Sequence, residues 1–448
     1  MIASPLDRYL TPAVKAAARP ERVGQLDRIV DEHAEVIGLQ AATGDVVLIG
    51  ADGALQAEVV AVGSDRLTVV PFGSLHGFRV GAPVRSSGST LQTPTGPSLV
   101  GRILDGLGRP MDGLGPLENV EWKPLRNDPP PPLERPLVAS QLQTGVRAID
   151  GLLSIGNGQR MGIMAGSGVG KSSLLSMLLR GTNADVTVLA LVGERGREVR
   201  EFIDHDLGPA GLARSVLIVA TSDQPALVRR NAAFLATRVA ESFRDDGADV
   251  LLLMDSLTRF AMAQREIGLA AGEVPTSKGY PPSVFGLLPQ LLERAGTSRE
   301  GSLTGFYSVL VEGDDIHDPI GDTARAILDG HIVLTRDLAN AGHFPSIDLL
   351  QSASRVANRV TTESQQHLAA EYRRLLAAAD RARDVVELGM YSPGSDPMID
   401  RALALEGAMA AFAQQPIDRL QTLDQTWTEL AELLASDGGN TNGEGLQR

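Results

Sequence analysis

Residues 165–172 read Ala165-Gly166-Ser167-Gly168-Val169-Gly170-Lys171-Ser172, with Ser173 next. An apolar run at 161–164 leads in, and a helix-like segment at 172–179 follows, with leucines at 174, 175, 178 and 179. Strand, glycine loop and helix in that order make a phosphate-binding loop. The three glycines carry no Cβ to hold backbone N–H groups away from phosphate oxygens. The positive end of the following helix faces the same anion. In such a loop Lys171 reaches the β- and γ-phosphates, the Ser172 hydroxyl ligates Mg²⁺, and the run from Ala165 to Ser173 wraps the nucleotide. Ala165 stands where the usual pattern has glycine.

Outward from the loop, 137–360 alternates apolar strand runs with helical patterns, the signature of a parallel α/β sheet. Strands are predicted at 161–164, 186–191, 216–220, 250–254, 303–311 and 331–335, with helices at 225–243 and 258–267. The stretch 268–289 reads as a long irregular loop, and such loops are usually functional. Before the sheet, 21–90 shows short β-like runs at 34–39, 45–49, 56–62 and 67–72 between glycine turns, which predicts a small antiparallel barrel or sandwich. Between these parts lies a Pro/Gly-rich connector, 91–136, either a floppy linker or an ordered crossing. It includes four consecutive prolines, 129–132, a stiff extended piece. After 360 the pattern turns helical, with apolar faces at Leu368, Tyr372, Leu375, Leu376 and Ala379 and at Leu430, Leu433 and Leu434. The expected organisation is a tail (1–20), a β-barrel (21–90), a nucleotide-binding domain (91–360) and a helical domain (361–448).

Composition narrows the function. With 55 acidic against 41 basic residues the formal net charge is −14, and aromatics are only 4%. A nucleic-acid binder needs a basic stripe and stacking surfaces, and neither is visible. Zero cysteines remove disulfides, thiolate metal sites and cysteine nucleophiles. No apolar run approaches a membrane span, and the first residues lack a secretory signal, so a cytoplasmic protein is expected.

Two further stretches add chemistry. The strand at 250–255, VLLLMD, ends in Asp255, placed to order the Mg²⁺ shell through water while Ser172 binds the metal directly. Residues 192–195, Val-Gly-Glu-Arg, close the 186–191 strand, and ligands in open α/β sheets bind at such strand ends. Glu194 can polarise the attacking water there. On spacing alone GERGREVRE reads equally well as a solvated charged face.

AGSGVGKS, LVGERGREV, VLLLMDS, KGYPPSVF and ILDGHIVLTR, in this order, resemble the catalytic subunits of the rotary ATPase family. GYPPSVF, VEGDDIHDPIGDTARAILDGHIVLTR and GSDPMID are similar to the flagellum-specific ATPases of the type III export apparatus. The resemblance covers about residues 20–415. It implies a barrel, nucleotide and helical domain in each chain, and a ring of six identical chains with Mg-ATP at each interface. It implies that Glu194 activates water, Arg195 binds phosphate, Asp255 is the Walker B carboxylate, and Arg355 enters the neighbouring subunit's site. Phe344 falls where the family usually has an adenine-stacking tyrosine; it keeps the face and loses the hydroxyl. The implied partners are the export apparatus stalk, a regulator, membrane export gate proteins and chaperone–substrate complexes, with the chain peripheral to the inner membrane. An injectisome export ATPase shares this chemistry, and a hexameric RNA translocase is the rival from another class. DPIGDTARAILDG favours the flagellum. The non-catalytic subunits of rotary synthases look different at the position of Glu194.

Overall fold

The computed structural model describes residues 22–30, 32–311 and 318–436. The expected tail at 1–20, residues 312–317 of the long motif and the terminal residues 437–448 lie outside them.

The chain divides into two compact units, the first formed by its N-terminal part with a short piece at 267–273. Six strands make its body: β1 (Val23–Val30), β2 (His33–Ile37), β3 (Asp45–Ile49), β4 (Leu55–Val62), β5 (Arg66–Pro71) and β6 (Pro83–Thr90). They close in the order β1-β2-β5-β4-β3-β6, all antiparallel, which removes free sheet edges. Alternation sends Ala34 and Val36, then Leu55, Ala57 and Val59, into one apolar core. Four of these strands are legible in the sequence. β1 and β6 are not, because charged and serine-rich residues dilute their pattern.

The second unit begins with the connector, which is ordered. β7 (Gln92–Thr95) pairs with β9 (Glu121–Pro124), and between them β8 (Ile103–Asp105) joins the large sheet. Its glycine-rich turns are pinned by carboxylates. Asp112 takes two bonds from the Arg102 guanidinium (2.7 and 3.1 Å) and one from Ile103 N (3.0 Å). Further on, the fully buried Glu241 and Arg294 form a two-pronged pair at 2.7 Å, and they hold the connector through Asn127 and the carbonyl of Leu125. Breaking a buried pair by deleting one partner costs about 3–5 kcal/mol, so this anchor is firm.

The sheet continues through β10 (Arg160–Ala165), β11 (Val186–Val192), β12 (Ser215–Ala220), β13 (Asp249–Asp255), β14 (Gly296–Thr297), β15 (Ser302–Leu310), β16 (Gly330–Leu334) and β17 (Ile347–Ser354). Its order is β17-β16-β10-β15-β13-β11-β12-β8, with β14 paired to β15. All neighbours are parallel except β16–β17 and β14–β15. The sheet is therefore mixed at one edge rather than wholly parallel. Helices α1 (Lys171–Gly181), α2 (Ala226–Asp245), α3 (Leu257–Ala270) and α4 (Pro282–Leu292) follow β10, β12 and β13. The expected loop at 268–289 is thereby corrected: α3 extends to Ala270 and α4 starts at Pro282. Prolines there read as loop, yet proline suits a first helical position because its missing N–H is not needed.

Three helices close the chain: α5 (Glu363–Glu387), α6 (Pro397–Ala413) and α7 (Leu423–Ala435). Thr362 with Gln365, and Thr422 with Gln425, form capping boxes, and Asp396 caps α6. Tyr372 and Leu375 of the expected α5 face are buried, and the Tyr372 hydroxyl donates to Met409 O at 2.8 Å.

Candidate functional site

β10 lies between β15 and β16, its residues buried from Met161 to Ala165. Beyond it the loop turns through Gly168 (φ 76°) and Gly170 (φ 90°). At Gly170 the dihedral favours glycine, and an added Cβ would press on the Phe344 ring at 3.3 Å. Lys171 opens α1, whose leucines 174, 175, 178 and 179 are buried. The unpaired N–H groups of its first turn therefore face the loop.

Two neighbouring strands bring the carboxylates. Asp255 ends β13, buried, and its Oδ1 accepts from the Ser308 hydroxyl of β15 (2.6 Å) and from the Lys171 ammonium. Glu194 sits two residues past β11, with its Oε1 3.7 Å from Lys171 Nζ. Its backbone is fixed on both sides, by Gly193 N to Ala220 O (2.6 Å) and Ser222 N to Glu194 O (3.0 Å). Gly193 has φ 72°, and a Cβ there would lie 2.8 Å from the Arg259 side chain. Thus Lys171, Glu194 and Asp255 converge from the carboxyl ends of β10, β11 and β13.

Burial, and then the negative charge of Asp255, push the Glu194 carboxyl up to about 7, against the pull of Lys171. Only its ionised form accepts a proton, and that form is populated above the pKa. kcat/KM for ATP is therefore expected to rise with pH through about 7. The residual activity of Glu194→Gln should lack this ascending limb; a limb shared by both proteins would assign it elsewhere.

Lys171 and Glu194 line a cavity of about 940 Å³, while Asp255, bonded to Lys171, is not itself in the lining. Six of its lining residues are lysine or arginine against three carboxylates, the reverse of the chain's overall balance, so the cavity selects an anion. All loop residues from Gly166 to Ser173 line it except Val169. Ala165 and Val169 lie behind as backbone supports: Ala165 O accepts from Val311 N (3.0 Å), and Val169 O from the Ser346 hydroxyl. Arg195 lines the cavity while paired to Glu198 (3.0 Å).

Other lining residues carry no role in the sequence reading: Arg259, Arg265, Lys278 and Arg336. The buried Arg259 Nε has no hydrogen-bond partner, as expected of a group awaiting an anionic ligand. Arg336 reaches Ser167 O at 3.3 Å. Lys278 and Arg336 belong to the motifs KGYPPSVF and ILDGHIVLTR, and Arg259 follows Asp255 by four residues, so their positions were on view without their purpose.

Ser172 lines the cavity and Asp255 is bonded to Lys171; hydroxyl and carboxylate oxygens are donor types that suit Mg²⁺. Among the described residues no group of three or more His, Cys, Asp or Glu could hold a metal by itself.

Arg355 is elsewhere. Ser354 pairs with Gly330, and His331 pairs with Gly162, which puts Arg355 beside the amino end of β10. Its backbone N donates to Asp329 O (2.9 Å) and its guanidinium to Arg325 O (3.3 Å). The 6 residues of β10 are separated by about five steps of ~3.3 Å, so about 17 Å of strand separates this edge from the loop. The side chain belongs to the opposite edge from Lys171.

Comparison with known proteins adds to this geometry. Residues 145–354 match the nucleotide-binding domain model of the ATP synthase alpha/beta family, and residues 361–432 match the T3SS EscN ATPase C-terminal domain. The flagellum-specific ATP synthase of Salmonella typhimurium is 50% identical over 93% of this chain and 94% of its own length. The type 3 secretion system ATPase of Xanthomonas euvesicatoria is 47% identical over 96% and 97%. The solved structure of the assembled ATPase EscN with its central stalk EscO, from the enteropathogenic E. coli type III secretion system, is 43% identical. It superposes with a TM-score of 0.86, covering 92% of this chain and 100% of that one.

Proposed function

The chain belongs to the ATP synthase alpha/beta family, within its type III export ATPases, and from that premise we infer that it hydrolyses Mg-ATP to energise flagellar protein export. The observation that carries the inference is the convergence of Lys171 and Glu194 on one cation-rich cavity, with Asp255 bonded to Lys171.

In this reading ATP lays its triphosphate in the loop, and Lys171 turns from Asp255 to the β/γ-phosphates. The Glu194 carboxylate takes a proton from water as the water oxygen bonds to the γ-phosphorus and the bond to the bridging oxygen breaks. Ser172 would hold Mg²⁺ directly and Asp255 through water, and the ion when bound neutralises phosphate charge. Arg195, Arg259 and Arg336 surround the same anion. Phe344, whose ring lies against Gly170, is read as the group that stacks on the adenine. Arg355, at the far edge of its own sheet, serves the cavity of a neighbouring copy, so the working form is a ring of identical chains, six by family resemblance. The stalk of the EscN assembly has a counterpart here, and a regulator, membrane export gate proteins and chaperone–substrate complexes complete the partners. The chain would dock peripherally on the cytoplasmic side of the inner membrane; among the described residues no helix is long and apolar enough to cross a membrane.

The run from Asp318 to Gly330 supports flagellar over injectisome export. Deleting the gene is expected to abolish filament-protein secretion and swimming, with restoration by the intact chain. Intact swimming with loss of injected effectors would reassign the machinery; intact secretion of both cargoes would overturn the export reading.

A further inference from the structure

The proline strap that ends the connector carries two leucines in the open. Leu133 is fully exposed (101%) and Leu137 nearly so (76%). Single exposed leucines are ordinary on a surface. These stand on a fixed backbone. The Arg135 guanidinium between them donates to Pro130 O (3.0 Å), Ala295 O (3.1 Å) and Glu293 O (2.6 Å), and the Thr297 hydroxyl donates to Pro136 O (2.6 Å).

The strap shares an edge with Arg355. Val138, next after Leu137, packs with Val360 over Gly156: a Cβ built there would lie 2.2 Å from one and 2.9 Å from the other. Val360 ends the short helix Ala357–Val360, which begins two residues past Arg355. A second route runs through charges. Arg160 pairs with Glu293 (2.6 Å) and doubly with Asp329 (2.9 and 3.0 Å), and Asp329 O accepts from Arg355 N.

We propose that Leu133 and Leu137 form the apolar part of the surface by which one copy of this chain docks on the next, continuous with the edge that presents Arg355. The proposal rests on the reading of Arg355 as serving a neighbour. A second copy is the fitting occupant because the related EscN, 44% identical, is solved as an assembly and, on that reading, Arg355 has its target in another chain. Apolar contact beside the arginine also excludes water, and an electrostatic contact gains strength in a drier setting.

The test compares the wild-type chain with Leu133→Asp/Leu137→Asp, by sedimentation velocity and by ATP turnover per chain across protein concentration. The concentration for half-maximal assembly and activity is expected to rise about tenfold or more, because two apolar contacts become desolvated charges. The thermal midpoint and nucleotide binding by dilute protein should hold, since neither residue lines the cavity. The chain has no cysteine, so Leu133→Cys carrying a polarity-sensitive dye reads the contact even if the charged variant folds poorly. Dye emission should shift to the blue on assembly. An assembly curve superimposable on wild type, or a dye that stays in water within the assembled ring, overturns the proposal. Arg355→Ala separates the two readings: a ring of that variant with normal turnover would refute the arginine's role and leave the assembly measurements to judge the leucines alone.

Discussion

Arg355→Ala is expected to bind ATP normally, to assemble, and to turn over about 10³–10⁵-fold more slowly, the range an arginine finger commands in phosphoryl transfer. The reason lies in placement. About 17 Å of β10 separates the arginine from its own loop, so its loss leaves the cavity of its own chain intact. Only the charge growing on a neighbour's phosphoryl oxygens goes unanswered. Nucleotide titration followed by single-turnover hydrolysis separates the two effects. Slower turnover with equally weakened binding would place the side chain in ground-state recognition, and turnover within tenfold of wild type would remove it from the chemistry.

Glu194→Gln is expected to keep ATP and lose about 10²–10⁴ in turnover, the usual worth of a positioned base. The amide is nearly the same shape, fixed by the same backbone bonds to β12 and the residues after it, but cannot take a proton. It also removes a negative charge 3.7 Å from Lys171, so nucleotide affinity should hold or rise. Near-normal hydrolysis would make the glutamate a bystander. Mixing the two inactive proteins adds a stricter check. Where an Arg355→Ala chain supplies the cavity and a Glu194→Gln chain supplies the arginine, one complete site is rebuilt. Random mixing in equal amounts should rebuild about a quarter of the interfaces, since a head-to-tail contact takes one part from each side. No recovery in rings shown to exchange subunits would put both groups within one chain's site.

Much of this was readable in the residues. The loop at 165–172 and the carboxylate after VLLLMD are local signals, and the structure brings Lys171, Asp255 and Glu194 together where strand ends were expected. What escaped was long-range. β8 is three residues in a glycine-rich stretch and becomes a strand only by docking on β12. β17 alternates too little to stand out, yet it fixes where Arg355 lies. α6 falls in the stretch read as helical, but no face was named for it because apolar and alanine residues surround it nearly all the way round, leaving no stripe. Arg259 sat in plain view after Asp255. Nothing in its spacing announces that it fills the space over Gly193, a fact of three dimensions.

The two ends of β10 give every copy a direction, like a link with a hook at one end and an eye at the other. A row of such links, however long, always has one eye with no hook. Closing the row is the only step that fills the last one, and it does so without adding a subunit. On the proposed reading of Arg355, a closed circle therefore outworks an open row of the same number, and whatever favours or blocks closure is expected to set whether the last site is complete.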